Sequence, residues 1–200
     1  MAAKPRRSKW NFHAGFPSPC FPGMKVNHYL VQSGLFAGEY PGHQDPEVAR
    51  VRLGQLVEKG VRTFIDLTSD QDREDGLSPY DPHFASVDGG RSLGLRRHSF
   101  QIPDMGIPSD PGVMRGALDR IRGEIAAGRP CYVHCWGGIG RTGTAVGCWL
   151  RDSGLDGEAA LERVQGLYGS HMDADKLSRY PRSPQQPVQL RYVMDWPSLP

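Results

Sequence analysis

Cysteine is scarce in this sequence, and the cysteines present do not form the pattern of a structural site. Four occur in 200 residues, at irregular spacing and without a Cys-x-x-Cys pair: Cys20, Cys131, Cys135 and Cys148. Such a set is too small and too irregular for a disulfide framework, and a zinc site would need closely spaced pairs. We therefore expect reduced thiols and no bound metal.

Long apolar runs and a strong net charge are also missing. No stretch approaches the roughly 20 apolar residues needed to cross a bilayer. The basic start of the chain continues into Trp10 without the apolar core of a signal peptide. The formal net charge is only +2, and most of it lies in that basic start. These absences predict a cytoplasmic protein whose partners include neither a membrane nor a nucleic acid.

The composition is that of an ordinary globular chain. With 200 residues, of which 38% are hydrophobic and 23% are charged, the chain can bury one core. We expect a single domain and a monomer. Residues 10–28 are rich in proline, glycine and aromatic residues, which indicates irregular structure. The predicted division is an irregular N-terminal segment, residues 1–27, and a folded domain, residues 28–200.

Strand and helix signals alternate along the folded domain. β-Branched and aromatic runs predict strands at 29–37, 61–67, 95–102 and 131–134. Caps and helical periodicity predict helices at 46–60, 111–128, 141–152, 161–168 and 185–196. Residues 68–93 have little periodicity, and we predict a long loop there. The alternation predicts an α/β fold with a central, mostly parallel sheet flanked by helices on both faces.

The strongest functional signal lies between the last predicted strand and the apolar helix that follows it. We call this segment the signature loop: His134-Cys135-Trp136-Gly137-Gly138-Ile139-Gly140-Arg141-Thr142-Gly143. Backbone N–H groups of a glycine-rich turn form a concave nest, and the positive end of the next helix adds to it. The loop can therefore hold a phosphate group. The predicted phosphate-binding residues are Trp136, Gly137, Gly138, Ile139, Gly140 and Arg141.

Cys135 and Arg141 supply the reactive groups. The field that attracts phosphate also stabilises a thiolate, so we expect Cys135 to act as an ionised nucleophile. The planar guanidinium of Arg141 can bind two phosphoryl oxygens and stabilise their charge during transfer to sulfur. A cysteine at the end of a buried strand is more often a core residue. The glycines and the arginine favour the catalytic interpretation. With these groups no metal or other cofactor is needed.

A proton donor for the leaving group is expected on a loop that can close over the site. The candidate is Asp104 in the segment Gln101-Ile102-Pro103-Asp104-Met105-Gly106-Ile107-Pro108-Ser109-Asp110, which we call the acid loop. Asp104 would act as general acid in the first step and as general base in the second. Asp110 is the competitor, but its position before Pro111 is typical of a helix cap.

Two of these segments resemble the protein-tyrosine phosphatase superfamily. VHCWGGIGRTG, which ends at Gly143, resembles its signature loop, and IPDMGIPSD, which ends at Asp110, is similar to the general-acid loop of its dual-specificity branch. The resemblance covers residues 28–196. It implies the cysteine phosphatase fold and makes residues 28–200 a phosphatase catalytic domain.

The resemblance also implies roles for supporting residues. Thr142 would assist departure of the Cys135 thiolate from the phosphoenzyme. His134 would fix the loop and help to keep Cys135 ionised, although a structural core histidine is an equally good interpretation. Gln185 or Gln189 would position the hydrolytic water. For both glutamines, however, the favoured interpretation is that they are exposed helix residues.

The sequence thus predicts a phosphomonoester hydrolase. Its expected substrate is phosphotyrosine, and also phosphoserine or phosphothreonine, in a protein or peptide. Residues 136–140 contain no lysine, which disfavours a polyphosphorylated lipid. Two alternatives stay open: a catalytically silent phosphate-binding module, and a phosphatase of small molecules. Cys131 or Cys148 could trap an oxidised Cys135, but inert core thiols are the favoured interpretation.

Overall fold

Residues 24–87 and 90–196 are described by a computed structural model, and they contain five strands and eight α-helices. The strands are β1 His28–Gln32, β2 Leu35–Gly38, β3 Thr63–Asp66, β4 Arg96–Ser99 and β5 Cys131–His134. The helices are α1 Pro46–Glu58, α2 Asp70–Glu74, α3 Gly90–Leu93, α4 Pro111–Ala126, α5 Gly140–Asp152, α6 Gly157–His171, α7 Ala174–Arg179 and α8 Pro187–Asp195. None of these helices is long and apolar enough to cross a membrane.

The strands form one sheet in the order β1-β2-β5-β3-β4. β1 is antiparallel to β2, and the other three pairings are parallel. The predicted α/β fold with a mostly parallel sheet is therefore confirmed. His134 pairs in register with Gly38 on one side and with Asp66 on the other. Three strands thus end together at the carboxyl edge of the sheet, where α/β proteins bind ligands.

Helices cover both faces of the sheet, as predicted. Side chains alternate between two cores, because successive residues of a strand point to opposite faces. Phe64 and Tyr132 belong to the smaller core, which includes α1 residues, whereas Ile65 and Val133 belong to the larger core, which includes residues of α4, α5, α6 and α8. Both faces of the central strands are therefore shielded from solvent, and all four residues of β3 and of β5 are buried.

The single strand predicted at 29–37 is wrong in one respect, because the segment is a hairpin. β1 and β2 pair antiparallel, with Tyr29 opposite Ala37. The chain reverses at Gly34, whose φ of 82° lies in the left-handed region that glycine adopts without strain. The Ser33-Gly34 dipeptide is a sequence signal of this turn, and the prediction of a single strand overlooks it.

The long loop predicted at 68–93 is also a partial error. It contains α2, α3 and a 3-10 helix, Asp81–Ser86. These elements are too short to show a hydrophobic period. Helix α7 was likewise not predicted. Of the predicted irregular N-terminal segment, residues 1–23 and with them Cys20 lie outside the described residues. Val26, within the described part, is fully buried in the smaller core.

Two of the predicted helix starts, those of α1 and α4, are confirmed by their caps. The Asp45 side chain accepts a hydrogen bond of 2.8 Å from the backbone N–H of Glu47. The Asp110 side chain accepts one of 2.8 Å from the N–H of Gly112. Asp110 therefore caps α4, as its position before proline indicates.

Candidate active site

The signature loop leaves β5 at the carboxyl edge of the sheet and enters α5 at Gly140. Gly138 has a φ of 71°, and a Cβ atom there would lie 2.5 Å from the Gly38 carbonyl carbon. Only glycine satisfies both conditions, so the loop can pack directly on the end of β2. The first eleven residues of α5, from Gly140 to Leu150, are all buried, which fixes the N-terminus of this helix against the loop.

Two carbonyls of the loop are held from outside by hydrogen-bond donors. The Cys135 carbonyl lies 3.2 Å from His134 Nδ1, and the Trp136 carbonyl accepts a bond of 2.9 Å from the backbone N–H of Tyr40. In a trans peptide the N–H points away from the C=O. Carbonyls fixed outward therefore turn the following N–H groups inward, toward the nest.

Two further carbonyls are held in the same way by side chains from distant elements. Lys176 Nζ donates a bond of 2.8 Å to the Gly137 carbonyl and also forms an ion pair with Glu39. Ser183 Oγ donates a bond of 2.8 Å to the Ile139 carbonyl. Neither contact was predicted, because single polar residues in loops or short helices carry no sequence signal of a tertiary partner.

Cys135 lies at the bottom of the nest and is only 3% exposed. The hydroxyl of Thr142, one turn into α5, donates a hydrogen bond of 3.1 Å to Cys135 Sγ. The same oxygen lies 3.4 Å from the Gly38 carbonyl, a longer alternative acceptor. The geometry thus places a hydroxyl donor and the N-terminus of α5 beside the sulfur.

Arg141 is buried and bound to a carboxylate that the sequence analysis missed. Its Nη1 and Nη2 atoms lie 2.7 and 2.8 Å from the two carboxylate oxygens of Asp72 in α2, and Nη1 also donates to the Ile102 carbonyl at 3.1 Å. Burial opposes the charge of Arg141, but the hydrogen bonds to Asp72 and the neighbouring acidic groups together outweigh burial and raise the pKa of Arg141. The guanidinium is therefore fixed in one plane at the nest.

Asp72 is itself held by the start of its helix. The backbone N–H and the hydroxyl of Ser69 donate bonds of 2.7 and 2.8 Å to Asp72 Oδ2. Burial would raise the pKa of Asp72, but Arg141 and Ser69 together lower it. The Ser-x-x-Asp pattern of a capping box was the sequence signal available for α2, although it does not reveal Arg141 as a partner.

Asp104 reaches the same place from the acid loop. Asp104 Oδ1 lies 2.9 Å from Arg141 Nη2, while its side chain stays 61% exposed. The structure thus brings the three predicted reactive groups to one small cavity. The residues that line this cavity are Asp104, Met105, Cys135, Gly137, Ile139, Gly140, Arg141, Gln185 and Gln189.

Both candidate glutamines line the cavity, and one of them is buried. Gln189 has no exposed surface, so the interpretation as an exposed helix residue is wrong for it. Gln185 is half-buried. The side chain of Trp136, whose backbone belongs to the predicted nest, is 41% exposed, and Met105 is 48% exposed. We call Met105 and Trp136 the apolar rim.

His134 is completely buried, and its surroundings disfavour the charged form of the ring. Burial lowers the pKa of His134, and Asp66, 3.9 Å away, opposes this only in part. Since the Cys135 carbonyl can only accept, Nδ1 carries the proton and Nε2 accepts the hydroxyl of Tyr80 at 2.8 Å. The geometry therefore lets His134 orient the loop, through a neutral N–H rather than a charge.

The two other described cysteines are buried core thiols. Burial raises the pKa of Cys131 to about 12, and burial also raises the pKa of Cys148 well above its usual value. A buried thiol with a raised pKa is a poor nucleophile, which supports the interpretation of Cys131 and Cys148 as inert core residues. Within residues 24–87 and 90–196 no group of His, Cys, Asp or Glu side chains could hold a metal ion.

Several solved structures share this fold, among them proteins described as phosphatases. The kinase associated phosphatase, solved with its catalytic cysteine changed to serine, matches 86% of this chain and 93% of its own, with a TM-score of 0.63 and 17% identity. PTPMT1 in complex with PI(5)P matches 84% and 92%, with a TM-score of 0.60 and 18% identity. The core catalytic domain of the PP-IP phosphatase SIW14 from S. cerevisiae matches 84% and 83%, with a TM-score of 0.54 and 14% identity. At these identities the likeness shows the fold alone.

A family model gives the more specific result. The family described as "Polymorphic toxin system, DSP-PTPase phosphatase" matches residues 42–154, more than half of the chain. This range contains Asp72, the acid loop and the signature loop. The chain therefore belongs to this family of dual-specificity-type protein-tyrosine phosphatases.

Proposed function

We propose that this phosphatase hydrolyses phosphotyrosine in proteins or peptides, and also phosphoserine or phosphothreonine, through a cysteinyl-phosphate intermediate. The observation that carries the proposal is the convergence of Cys135 Sγ, the Arg141 guanidinium and the Asp104 carboxylate on one cavity at the N-terminus of α5. A nucleophile, a fixed cation and a proton donor are the groups that metal-free phosphoryl transfer requires.

In the first step the Cys135 thiolate attacks phosphorus in line with the leaving oxygen. The S–P bond forms as the P–O bond to the leaving group breaks, and protonated Asp104 gives its proton to the leaving oxygen. Arg141 and the inward N–H groups of the signature loop stabilise the equatorial phosphoryl oxygens. The loop carbonyls are already fixed outward, so the donors need little reorganisation.

In the second step water attacks the cysteinyl phosphate. Asp104, now a carboxylate, takes a proton from this water, and the S–P bond breaks to release inorganic phosphate. Cys135 leaves as a thiolate, which accepts the Thr142 hydroxyl hydrogen bond of 3.1 Å. Asp104 thus acts first as an acid and then as a base, and Cys135 acts first as the nucleophile and then as the leaving group.

Arg141 must exchange one partner when substrate binds. Asp72 occupies one edge of the guanidinium, and Asp104 accepts from Nη2 on the cavity side. The Asp104 oxygen therefore stands where a phosphoryl oxygen would bind. A bound phosphate would take over this donor, and Asp104 would be free to hold a proton for the leaving group.

The apolar rim supports an aromatic substrate. Met105 lines the cavity, and Trp136 lies in the chain between the lining residues Cys135 and Gly137. Both side chains expose apolar surface that a phenyl ring attached to the phosphate could contact. Among the described residues that line the cavity, Arg141 is the one basic side chain. A substrate with several phosphates would need further cations to bind its other groups.

A phosphorylated inositol is the second candidate substrate, and two structural neighbours favour testing it. PTPMT1 was solved with PI(5)P, and SIW14 is described as a PP-IP phosphatase. Both share only the fold with this chain. The presence of one basic side chain, Arg141, in the described cavity lining favours phosphotyrosine over these ligands.

The test is turnover by the purified full chain in EDTA and reductant. Substrates are p-nitrophenyl phosphate, phosphotyrosine and phosphoserine peptides, a panel of free phosphorylated metabolites, and vesicles containing PI(5)P. Cys135→Ser should abolish turnover, while the buried thiol control Cys148→Ala should retain it. Asp104→Asn should lower peptide turnover by about 10²–10⁴-fold, and Asp110→Asn, which still caps α4, should not.

The outcomes separate the alternatives. Preference for the phosphotyrosine peptide supports the proposal, and preference for PI(5)P or for a metabolite replaces it with that substrate class. Binding of phosphopeptide without hydrolysis of any substrate would leave a silent phosphate-binding module. Cytoplasmic location and a monomeric state stay predictions, which fractionation and light scattering can check.

A further inference from the structure

We propose that Gln189 is a positioning residue that holds the acid loop over the signature loop. This role rests on the proposed function, because it matters only if Asp104 donates a proton. It differs from the water-positioning role predicted for the glutamines, since it acts on the first chemical step.

The amide of Gln189 is bound at both ends. Nε2 donates a hydrogen bond of 3.0 Å to the Gly106 carbonyl, two residues after Asp104, and Oε1 accepts one of 3.2 Å from the Gln186 backbone N–H. A carbonyl can only accept and a backbone N–H can only donate, so these partners fix which end is nitrogen. The Gln189 side chain is fully buried.

Gln189 also contacts the signature loop. A Cβ atom added at Gly140 would lie 2.8 Å from both Gln189 Nε2 and Oε1, so the amide rests directly on the first residue of α5. The side chain therefore spans the gap between the acid loop and the nest. Any larger residue at Gly140 would displace it.

The acid loop needs such support because its backbone is strained. Met105 has a φ of 57°, a left-handed conformation that side-chain-bearing residues rarely adopt. Such conformations persist when surrounding contacts impose them. A second contact comes from the same segment, where Gln185 Nε2 lies 3.0 Å from Met105 Sδ. Residues 185–189 thus contact the acid loop at two adjacent residues, Met105 and Gly106.

The two possible roles of Gln189 affect different steps. Loss of acid-loop positioning slows cleavage of the P–O bond, and the effect grows with the basicity of the leaving group. Loss of water positioning slows only hydrolysis of the cysteinyl phosphate, which is the same for every substrate. The ratio kcat/KM reports events up to the first irreversible step and separates the two.

The experiment compares Gln189→Met with the control Arg191→Met on the same helix, where Arg191 is exposed. In Gln189→Met, kcat/KM for phenyl phosphate and phosphotyrosine should fall about 10–100-fold, part of the usual contribution of a general acid. For 2,4-dinitrophenyl phosphate, which needs no acid, the fall should stay small. An equal fall for all substrates, or an unchanged kcat/KM with a burst and a lower kcat, would overturn the proposal.

A second measurement is independent of turnover. Hydrogen exchange of the backbone amides in the acid loop of the substrate-free protein should be faster in Gln189→Met than in wild type or Arg191→Met. Unchanged exchange would also reject the proposal. If the wild type hydrolyses nothing, the proposed function fails, whereas exchange still shows whether Gln189 holds the loop.

Discussion

At the scale of single residues, the ion pair between Arg141 and Asp72 fixes the orientation of the guanidinium in the site. Both side chains are 1% exposed, and they meet through two hydrogen bonds. Burial of two charged side chains costs free energy of solvation. Their mutual hydrogen bonds, together with those from Ser69 to Asp72 and from Arg141 to the Ile102 carbonyl, compensate for this cost. The pair therefore contributes to the orientation of Arg141 more than to net stability.

We predict that Asp72→Asn impairs both activity and stability. An amide presents one acceptor and one donor to the guanidinium, so Arg141 loses its fixed plane. The value of kcat/KM should fall about 10–100-fold, as for small misplacements of a catalytic group. The free energy of unfolding should fall by about 3 kcal/mol, since a buried cation loses its counter-ion. Steady-state kinetics and urea unfolding measure the two effects.

The matched control is Asp70→Asn in the same helix. Asp70 pairs with Arg73 at the surface, and its side chain is 73% exposed. It also accepts a hydrogen bond of 3.0 Å from Gln101 Nε2 of the acid loop, which an asparagine oxygen can still accept. This change should leave both quantities nearly unaltered. Equal behaviour of the two variants would mean that Asp72 does not orient Arg141.

Sequence reasoning finds residues whose chemistry lies in a local pattern and misses those defined by long-range contacts. Cys135, Arg141 and Asp104 stand in segments whose order alone suggests phosphate chemistry. Asp72 meets Arg141 across 69 positions of the chain, and nothing in the local pattern of α2 indicates that pairing. Gln189 was identified as a candidate, but its burial depends on the packing of α8.

At the scale of elements, the short helix α7 supports the signature loop from behind. Lys176 Nζ binds the Gly137 carbonyl and Glu39, and its side chain is only 18% exposed. Asn27 Nδ2 also donates to Glu39 and to Asp173, just before α7. The loop is thus tied to β2, to the segment before β1 and to α7.

We predict that Lys176→Met weakens phosphate binding. Without its donor the Gly137 carbonyl can turn, and the Gly138 N–H then no longer points steadily into the nest. The inhibition constant of inorganic phosphate should rise about tenfold, which corresponds to the loss of one charged hydrogen bond. Competition against p-nitrophenyl phosphate measures it.

Lys25→Met is the control for this prediction. Lys25 pairs with Asp173 in the same network at 3.1 Å, but its side chain is 64% exposed and contacts no loop carbonyl. For Lys25→Met, the inhibition constant of inorganic phosphate should match that of the wild type. A comparable rise in both variants would assign the effect to general loosening of the network.

Elements with strong signals were predicted, and short ones were not. Helices α1 and α4 have aspartate caps followed by proline, and their bounds agree with the prediction within a few residues. The segment predicted as one strand at 29–37 is a hairpin, because a turn at Gly34 divides it into β1 and β2. Helices α2 and α7 have five and six residues, too few to show an apolar face.

At the scale of the whole molecule, the end of the sheet opposite the active site is fixed by one buried carboxylate. Glu124 of α4 accepts hydrogen bonds from Thr63 at the start of β3, at 2.9 Å, and from Arg129 before β5, at 2.5 Å. The bond from Arg129 lowers the pKa of Glu124 to about 2, against the effect of burial and with help from Thr63.

This pairing predicts a particular pH dependence of stability. The folded-state pKa is depressed from 4.5 to about 2, so the contribution is present above pH 4.5 and is lost as the pH falls toward 2. The difference corresponds to about 3 kcal/mol. Glu124→Gln should lose about 2–3 kcal/mol of unfolding free energy at pH 7. Its stability should also change less than that of wild type between pH 4.5 and 2.

Urea unfolding at a series of pH values measures this difference. Glu58→Gln, at an exposed position of α1, serves as the control and should keep the slope of the wild type. An unaltered acid slope in Glu124→Gln would show that other carboxylates cause the acid sensitivity.

The whole account depends on a covalent bond between Cys135 and phosphorus. Asp104→Asn removes the base for hydrolysis, and 2,4-dinitrophenyl phosphate needs no acid to leave, so the intermediate should accumulate when the two are combined. The measurement is rapid quenching followed by peptide mass spectrometry. We predict one phosphoryl group on the peptide that contains Cys135, and none in the variant that also carries Cys135→Ser. Turnover that continues after Cys135→Ser, with no phosphoryl group ever found on Cys135, would contradict the account.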